Sequence, residues 1–283
     1  MTDTFAFDLP AYLDRIGLKE PPPATAEGLA RLQHAHRLAI PFENLDVILG
    51  RGIAIDSASV FAKLVTARRG GYCFEQNRLF EDALVELGFT IRPLLGRVWL
   101  GVDGPPPGKT HTLCLVTIDG QDWIADAGFG GAYGPPMPLA DGETAKAPDG
   151  AEFRLMRDPL HGWMLERDGH PGSTDGRGTG EGWIPQYSFT LEPVFAADLA
   201  MSNHWTSTAP ETRFTQLRII SVALPRGYAG ITDRFYRRRN GEQEASGDID
   251  DPRVYRMRLS LLFGLDLSVE EIAQLGLFQT EAA

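Results

Sequence analysis

The first 88 residues carry apolar side chains at three- and four-residue steps, which is the spacing of amphipathic helices. The clearest run begins near Cys73, continues through residues 79–87 and ends at Gly88, since glycine favours a helix C-terminus. Three shorter runs precede it, and they begin at Leu9, after Thr25 and after Asp56. Thr and Asp accept hydrogen bonds from the first N–H groups of a helix. The pattern predicts that residues 1–88 are mainly helical.

From about residue 90 the apolar positions alternate with polar ones, which is the spacing of half-buried strands. The segments are rich in β-branched and aromatic residues, and they cover 90–95, 96–100, 111–118, 123–129, 152–156, 163–166 and 183–191. Two Gly- and Pro-rich segments, 101–108 and 167–182, predict loops. We expect a strongly bent antiparallel sheet or barrel in this part of the chain.

The last third of the chain mixes the two patterns. It predicts a helix over 196–202, strands over 214–224, 227–235 and 254–262, and a polar turn region over 240–251. Ser268 followed three residues later by Glu271 has the spacing of a capping box, which predicts a final helix to Leu275. The chain as a whole therefore predicts an α+β fold.

Charge and cysteine content narrow the possible functions. The 27 Lys and Arg against 38 Asp and Glu give a net charge of −11, which argues against broad binding of nucleic acid or anionic membranes. Only Cys73 and Cys114 occur, so a disulfide framework is not expected. No signal-like segment and no long uncharged apolar run stand out. We expect a soluble cytoplasmic protein.

Cys73 is the candidate nucleophile. It opens the fourth helical run, where unpaired N–H groups and the positive end of the helix macrodipole favour a thiolate. Gly70 and Gly71 precede it and lack a Cβ, so the backbone can turn sharply there. A buried cysteine is more often a small apolar side chain than a nucleophile. The assignment therefore depends on finding a base.

His111 and Asp126 are the candidate base and orienting group. Asp119-Gly120 predicts a two-residue turn between two strands, which places Leu113 opposite Asp126. Position 111 points to the same face as position 113, so His111 and Asp126 become diagonal neighbours about 7–8 Å apart at the backbone. A structural histidine and an exposed carboxylate are the alternative. That alternative fits poorly with the apolar residues around Asp126, because a carboxylate there needs a partner.

Other sites are less well supported by the sequence. Cys73, His111 and Cys114 lack the usual spacing of zinc ligands, so no metal is expected. No Walker motif and no dinucleotide-binding glycine motif after a strand occur. The Gly128-Phe129-Gly130-Gly131 segment after Asp126 can offer N–H groups to a phosphate, although most such turns only reverse the chain.

These residues resemble the arylamine N-acetyltransferase family. Arg69-Gly70-Gly71-Tyr72-Cys73-Phe74-Glu75-Gln76-Asn77 is similar to the family's active-site signature, and Ile40-Pro41-Phe42-Glu43-Asn44-Leu45 resembles its N-terminal motif. Thr110-His111 and Asp126-Ala127-Gly128-Phe129-Gly130 resemble its histidine and aspartate segments, in the same chain order. Ala127 is a small departure, because family members often carry valine there. The resemblance covers about residues 8–193 and is vaguer in the last third.

The resemblance implies three parts: a helical bundle over 1–88 that carries the Cys, a β-barrel over 89–195 that carries the His and Asp, and a C-terminal α/β lid over 196–283. The first two parts would form a core similar to that of papain-like cysteine enzymes. No cofactor would be bound permanently, and acetyl-CoA would be a co-substrate. The acetyl group would pass through Cys73 to an aromatic amine, hydrazine or N-hydroxyarylamine in a ping-pong reaction.

The resemblance also implies roles for individual residues. Cys73, His111 and Asp126 would be catalytic; Thr110, Gly128, Gly130 and Phe214 would lie along CoA; Phe42, Val98 and Phe129 would form the acceptor's walls. Arg69 and Glu43 would form a structural ion pair below the cysteine. A fall in activity of Arg69→Ala with unchanged thermal stability would contradict that structural role.

Three alternatives stay open at the level of the sequence. One is a transglutaminase-like or protease-like enzyme with the same three residues and an amide substrate. Another is a family-related amide synthase that closes a macrocycle. The third is a binding module without catalysis, in which Cys73 would react as an ordinary free thiol. The sequence does not predict the oligomeric state.

Overall fold

A computed structural model describes residues 5–131, 133–177 and 182–278 of the chain. Its α-helices in the described ranges are α1 (Leu9–Arg15), α2 (Ala26–Ala39), α3 (Leu45–Ile48), α4 (Ser57–Phe61), α5 (Cys73–Glu86), α6 (Ala196–Thr208), α7 (Arg213–Gln216), α8 (Pro252–Phe263) and α9 (Val269–Gln274). Thr25 and Asp56 cap α2 and α4 as predicted, and a π-helical turn over Ala62–Thr66 continues α4. Most helices thus lie in the first third, as the apolar periodicity predicts.

The strands of the described residues form two antiparallel sheets. They are β1 (Phe42–Glu43), β2 (Thr90–Val98), β3 (His111–Ile118), β4 (Gln121–Ala125), β5 (Met137–Pro138), β6 (Thr144–Lys146), β7 (Glu152–Asp158), β8 (Gly162–Asp168), β9 (Ile184–Phe189), β10 (Ile219–Leu224), β11 (Gly227–Thr232), β12 (Phe235–Asn240) and β13 (Gln243–Asp248). Strands β2 to β9 form an eight-stranded sheet that nearly closes into a barrel, and the other five strands form the second sheet.

Strand β3 separates two apolar cores, because its side chains alternate between the two faces of the sheet. Cys114 and Val116 pack with α1, α2 and α5 in one core, whereas Leu113 and Leu115 pack with the side chains inside the barrel. A third core joins the second sheet to α8 and α9. The nucleophile candidate on α5 and the base candidate on β3 are therefore held by elements packed directly against each other.

Strand β1 lies far from its sheet neighbours in the sequence. Phe42 and Glu43 pair with Ser221 and Ile220 of β10, so the first and last thirds of the chain share one sheet. Asn44 strengthens this junction, since its Nδ2 donates to the backbone oxygens of Phe214 and Leu217, each at 2.7 Å. The division into parts ending at 88 and 195 stays a prediction.

The prediction of a strand over 254–262 is wrong, because these residues belong to α8. Tyr255, Leu259 and Phe263 are buried at four-residue steps, which is helical spacing. Asp251 caps the helix and accepts a hydrogen bond from the Arg253 N–H at 2.7 Å. The Asp-Pro pair before the segment is a signal of a helix start. The apparent alternation of apolar and polar residues after it favoured a strand instead.

Three further predictions need correction. Residues 240–251 are not a turn region throughout, because 243–248 form the polar edge strand β13. The strand predicted over 214–224 is correct only from residue 219, where β10 begins, because residues 213–216 form the short helix α7. Strand β8 extends through Asp168, so the loop predicted from 167 begins later, and its residues 178–181 lie outside the described part. An exposed polar strand carries no alternating pattern by which to recognise it.

Within the described residues, no helix combines the length and the apolar character that crossing a membrane requires. The final helix, α9, has the predicted capping box, in which Ser268 and Glu271 exchange hydrogen bonds at 2.7 and 3.2 Å.

Candidate active site

Cys73 is the first residue of α5, and the chain before it is pinned to the strand β1 segment. Gly71 pairs with Phe42 in a parallel bridge, and the Glu43 N–H donates to the Gly71 carbonyl at 3.1 Å. A Cβ on Gly70 would lie 2.3 Å from the Pro41 carbonyl oxygen, so only glycine fits there. The missing Cβ of Gly70 thus lets the chain before Cys73 pack closely against the protein's own backbone.

His111 and Asp126 form the predicted pair. Ile118 lies opposite Gln121 as the Asp-Gly turn predicts, and Asp126 follows the last paired residue of β4. The His111 Nε2 lies 2.7 Å from an Asp126 carboxylate oxygen. Because Nε2 makes the hydrogen bond to Asp126, Nδ1 is the ring nitrogen that can exchange a proton with Cys73. The Cys73 Sγ–H lies 3.7 Å from the Thr110 carbonyl oxygen, next to His111 in the chain.

Asp126 is fixed by groups from three other places in the chain. Its second oxygen accepts hydrogen bonds from Asn77 Nδ2 at 3.0 Å and from the Gly128 N–H at 2.9 Å. Asn77 also accepts from the Ala127 N–H at 3.0 Å. Burial raises the pKa of Asp126, but the charge of His111 and these hydrogen bonds outweigh burial and lower it. The carboxylate therefore stays ionised although it is buried.

His111 is buried and yet favours the charged form. Burial lowers its pKa, whereas the charge of Asp126, the hydrogen bonds with Asp126 and Cys73, and the charge of Cys73 raise it. The result is a pKa of about 10. Phe129 and Tyr187 enclose the ring, with centroids 5.3 and 5.0 Å from that of His111. At neutral pH this arrangement holds an imidazolium beside Cys73, where it can stabilise a thiolate.

Cys73 and His111 line a cavity of about 510 Å³. Its walls include every predicted contact residue, namely Phe42, Val98, Thr110, Gly128, Phe129, Gly130 and Phe214. Asp126 does not line this cavity and lies behind His111. The structure therefore brings all ten predicted site residues to one place. Their individual contacts with substrates stay predictions.

The two glycines predicted along CoA also serve the protein's own packing. A Cβ on Gly128 would lie 2.5 Å from Asn77 Nδ2 and 2.8 Å from the Cys73 carbonyl oxygen. A Cβ on Gly130 would lie 2.7 Å from the ring of Phe42. Close packing therefore accounts for glycine at both positions without any ligand.

Phe214 reaches the cavity from α7, in the last third of the chain. Its ring centroid lies 5.9 Å from that of Phe42 and 5.5 Å from that of Tyr72. Strand was predicted at this position, but the helical turn of α7 still directs the ring to the cavity. The aromatic wall thus combines residues from the first and last thirds of the chain.

Several positioning residues escaped the sequence analysis. Asn77 and Gln76 stand in the motif quoted above, but their partners are distant in the chain. Gln76 Nε2 donates to the carbonyls of Pro41 at 2.7 Å and Gly71 at 3.1 Å, which ties α5 to the segment before it. Gln33 Oε1 accepts from the Asp126 N–H at 2.8 Å. The only sequence signal of this role was the presence of the amide residues Gln76 and Asn77 in the motif around Cys73.

The predicted ion pair below the cysteine is present. Arg69 Nη2 lies 2.7 Å from Glu43 Oε1, and the same Nη2 lies 3.2 Å from Asp46. Lys63 joins this group, since its Nζ lies 2.8 Å from Asp46 and 2.7 Å from Glu75. The charged cluster holds the β1 segment, the π-helical turn and the start of α5 together.

A larger cavity of about 630 Å³ lies between α8 and α9, and its described lining residues differ from those of the Cys73 cavity. Among those described residues there is neither a cysteine nor a histidine. Size alone would favour this cavity, but the nucleophile, the base and the ionised carboxylate identify the smaller one as the candidate active site.

Comparison with known proteins agrees with this geometry. A family model described as N-acetyltransferase matches residues 25–272. The arylamine N-acetyltransferase / N-hydroxyarylamine O-acetyltransferase of Salmonella typhimurium is 37% identical over 264 residues, which cover 92% of this chain and 89% of that protein. The chain belongs to the arylamine N-acetyltransferase family. The family resemblance inferred from the sequence motifs is thereby confirmed.

A further relative is not named as an arylamine N-acetyltransferase. Proansamycin X synthase of Amycolatopsis mediterranei is 30% identical over 268 residues, which cover 92% of this chain and 98% of that protein. Its identity to this chain is lower than that of the acetyltransferase from Salmonella typhimurium.

Solved arylamine N-acetyltransferase structures have the same fold. The enzyme from Salmonella typhimurium matches with a TM-score of 0.87 and 34% identity, over 97% of this chain and 100% of that one. The Mycobacterium marinum enzyme in complex with CoA matches with a TM-score of 0.84 and 28% identity, over 95% and 98%. The predicted α+β fold, with helices, barrel and C-terminal sheet, is confirmed as that of this family.

Proposed function

We propose that this chain transfers an acetyl group from acetyl-CoA to an aromatic amine, through an acetyl group carried on Cys73. The supporting observation is the buried row of Cys73, His111 and Asp126, in which the pKa of His111 is raised to about 10. This function agrees with the activity that the names of the relatives state. CoA is the ligand named for the related Mycobacterium marinum structure.

In the first half-reaction, the Cys73 thiolate attacks the thioester carbonyl carbon of acetyl-CoA and forms a new C–S bond. The tetrahedral intermediate then expels the CoA thiolate, and the bond from the acetyl carbon to the CoA sulfur breaks. The His111 imidazolium gives its proton to the leaving CoA sulfur. The products are free CoA, an acetyl-Cys73 thioester and a neutral imidazole.

In the second half-reaction, the amine nitrogen attacks the acetyl carbon of acetyl-Cys73. His111 accepts a proton from the nitrogen, and the Cys73 thiolate leaves, which restores the imidazolium–thiolate pair. Asp126 holds the ring through Nε2 and stabilises its positive charge. The acetyl thioester survives between the steps if water is kept away, and Phe42, Phe129 and Phe214 provide apolar walls for that purpose.

The cavity favours a small acceptor. Its volume of about 510 Å³ lies in the range of sites for drug-sized molecules. A single aromatic amine beside the acetyl group fits that volume. Hydrazines and N-hydroxyarylamines present a similar nitrogen or oxygen nucleophile on a flat body, so we propose them as further acceptors.

Macrocycle-forming amide synthesis is the second candidate, because proansamycin X synthase is a relative over nearly its whole length. The same cysteine would carry a long acyl chain whose own amine closes the ring. The two functions differ in the acyl group that Cys73 accepts. Acylation of Cys73 by a long-chain thioester of N-acetylcysteamine, at a rate above that with acetyl-CoA, would favour the synthase.

Initial-rate kinetics test the proposed reaction. Acetyl-CoA and 4-methoxyaniline are varied together while free CoA is measured. Double-reciprocal plots with parallel lines are expected, since CoA leaves before the amine reacts. Intersecting lines would indicate a ternary complex and would contradict transfer through Cys73. The matched control is Cys114→Ala, which alters the other buried cysteine and should keep the parallel pattern.

A further inference from the structure

Two arginines at the active-site cavity share one buried carboxylate. Arg177 Nε and Nη2 each lie 2.7 Å from Asp175 Oδ2, whereas Arg213 Nη2 lies 3.5 Å from the same oxygen. Only 4% of the Asp175 side chain is exposed, against 27% and 26% for the two arginines. One negative charge thus faces two guanidinium groups, and Arg177 has the closer contacts with it.

The hydrogen-bond donors of Arg213 have few acceptors among the described residues. Within the described ranges, its guanidinium makes no hydrogen bond, and its buried Nε has no partner. Burial lowers the pKa of Arg213, and the charge of Arg177 lowers it further, while the charges of Asp175 and, more weakly, Asp233 raise it. Asp233 itself pairs with Arg218 at 3.8 Å. A buried guanidinium normally has hydrogen-bond acceptors around it, because its removal from water is otherwise unfavourable. Among the described residues, Arg213 therefore keeps N–H donors and positive charge that can bind an additional anion.

Both arginines line the same cavity as Cys73 and His111. Arg213 precedes Phe214, whose ring packs against that of Phe42 in the cavity wall. Arg177 packs beside the loop after β2, since its Cγ and Cδ would lie 3.8 Å from a Cβ on Gly101. The two guanidinium groups meet at Asp175, which also lines this cavity.

Of the residues that the structure describes, one other carboxylate lines the cavity near these arginines. Glu211 is exposed, and within the part of the chain that the structure describes it forms no ion pair with Arg213 or any other residue. Water therefore screens its charge, and it does not supply the acceptor that the buried Nε of Arg213 lacks.

We propose that Arg177 and Arg213 form an anion subsite that holds a negatively charged group of a substrate while its other end reacts at Cys73. The subsite rests on the proposed acetyl transfer and adds the substrate class to it. Two sources supply such a group: a phosphate of acetyl-CoA, or a carboxylate on the aromatic ring of the acceptor. Guanidinium groups bind both through paired, charge-assisted hydrogen bonds.

The test separates the sources with matched charged and neutral substrates. Acetylation of Cys73 is timed with acetyl-CoA and with 4-nitrophenyl acetate, a donor without phosphates. Discharge of acetyl-Cys73 is timed with 4-aminobenzoate and with its uncharged ethyl ester. The variants are Arg213→Gln and Arg177→Gln. The matched control is Arg226→Gln, which removes an exposed arginine in the turn between β10 and β11.

We expect Arg213→Gln to slow one charged member by about tenfold or more, which is the effect of losing one charge-assisted hydrogen bond, and to leave its neutral partner within about twofold. Slowing confined to acetyl-CoA assigns the subsite to a phosphate; slowing confined to 4-aminobenzoate assigns it to a carboxylate. Equal changes with charged and neutral members, or none in either pair, would overturn the proposal. A wild-type protein that takes no acetyl group from either donor would contradict the proposed function itself, and the subsite would fall with it.

Discussion

Cys73 and Cys114 are both buried, yet their surroundings prepare them for different chemistry. Cys73 opens α5 and faces His111, whose raised pKa keeps a positive charge beside the sulfur. Cys114 lies inside β3, and its Sγ contacts the Glu81 carboxyl at 3.9 Å. Burial raises the pKa of Cys114, and the charges of Glu81 and Asp126 raise it further. Both sulfurs are buried, but Cys73 has a positively charged neighbour whereas Cys114 has a carboxyl group beside it.

The largest expected effect distinguishes the two cysteines directly. Cys73→Ala should lower amine acetylation by about 10,000-fold or more, because it removes the group that carries the acetyl. Cys114→Ala should leave the rate within about twofold and lower Tm by a few degrees, since it removes a packed side chain. The check is kcat/KM with acetyl-CoA, together with thermal unfolding. Equal losses in both variants would contradict the difference drawn between the two sites.

Removal of the carboxylate behind His111 should have the next largest effect. Asp126→Asn keeps the shape but removes the charge that raises the pKa of His111, and we expect a loss of about 1,000-fold in kcat/KM. The wild-type imidazole should stay protonated up to about pH 10, whereas that of the variant should be neutral at pH 8. The ¹³Cε1 shift of His111 in an NMR pH titration measures this directly. An unchanged titration would show that Asp126 does not control the charge of His111.

Asn77 tests whether the carboxylate must be oriented as well as present. Asn77→Ala removes the hydrogen bonds that the side chain donates to Asp126 and to the Thr112 carbonyl, and the one that it accepts from the Ala127 N–H. We therefore expect kcat/KM to fall by about 10- to 100-fold. The KM for the acceptor should change little, because Asn77 does not line the cavity. Asn77→Asp is the informative companion. It keeps an acceptor for the Ala127 N–H but places a like charge beside Asp126, so it should fail to restore the rate.

The smallest expected effect is a change in stability at Glu81, the carboxyl group beside Cys114. Burial raises the pKa of Glu81 from 4.5 to about 8 in the folded protein. The folded state therefore holds this proton more tightly than the unfolded chain, and stability is lost as pH rises from about 4.5 to 8. Glu81→Gln should raise Tm by a few degrees at pH 9 relative to wild type, with a smaller difference at pH 5. A difference that grows toward low pH would contradict the assignment.

Local patterns were enough to predict the elements that carry the chemistry. The glycines before Cys73, the helical run after it and the Asp119-Gly120 turn placed α5 and the β3–β4 register correctly. Each signal lies within a few residues of the feature it predicts. The family motif then connected these features, and the structure brings all of them to one cavity.

Contacts between distant segments could not be predicted in the same way. Gln33 meets the Asp126 backbone, and Arg213 meets Asp175, only after the chain has folded. The edge strand β13 has polar residues on both faces and so lacks the alternation that marks a strand. The strand predicted for α8 is a different kind of error, because Asp251-Pro252 and the four-residue spacing of Tyr255, Leu259 and Phe263 are local signals of a helix. For β13 and for the long-range contacts, tertiary packing and not local preference decides the structure.

Intact mass after mixing the protein with acetyl-CoA, in the absence of amine, tests the central claim most directly. The account predicts a mass increase of one acetyl group in wild type and in Cys114→Ala, no increase in Cys73→Ala, and loss of the adduct when an aromatic amine is added. Acetylation at another residue, or amine acetylation by a protein that never carries the adduct, would contradict transfer through Cys73.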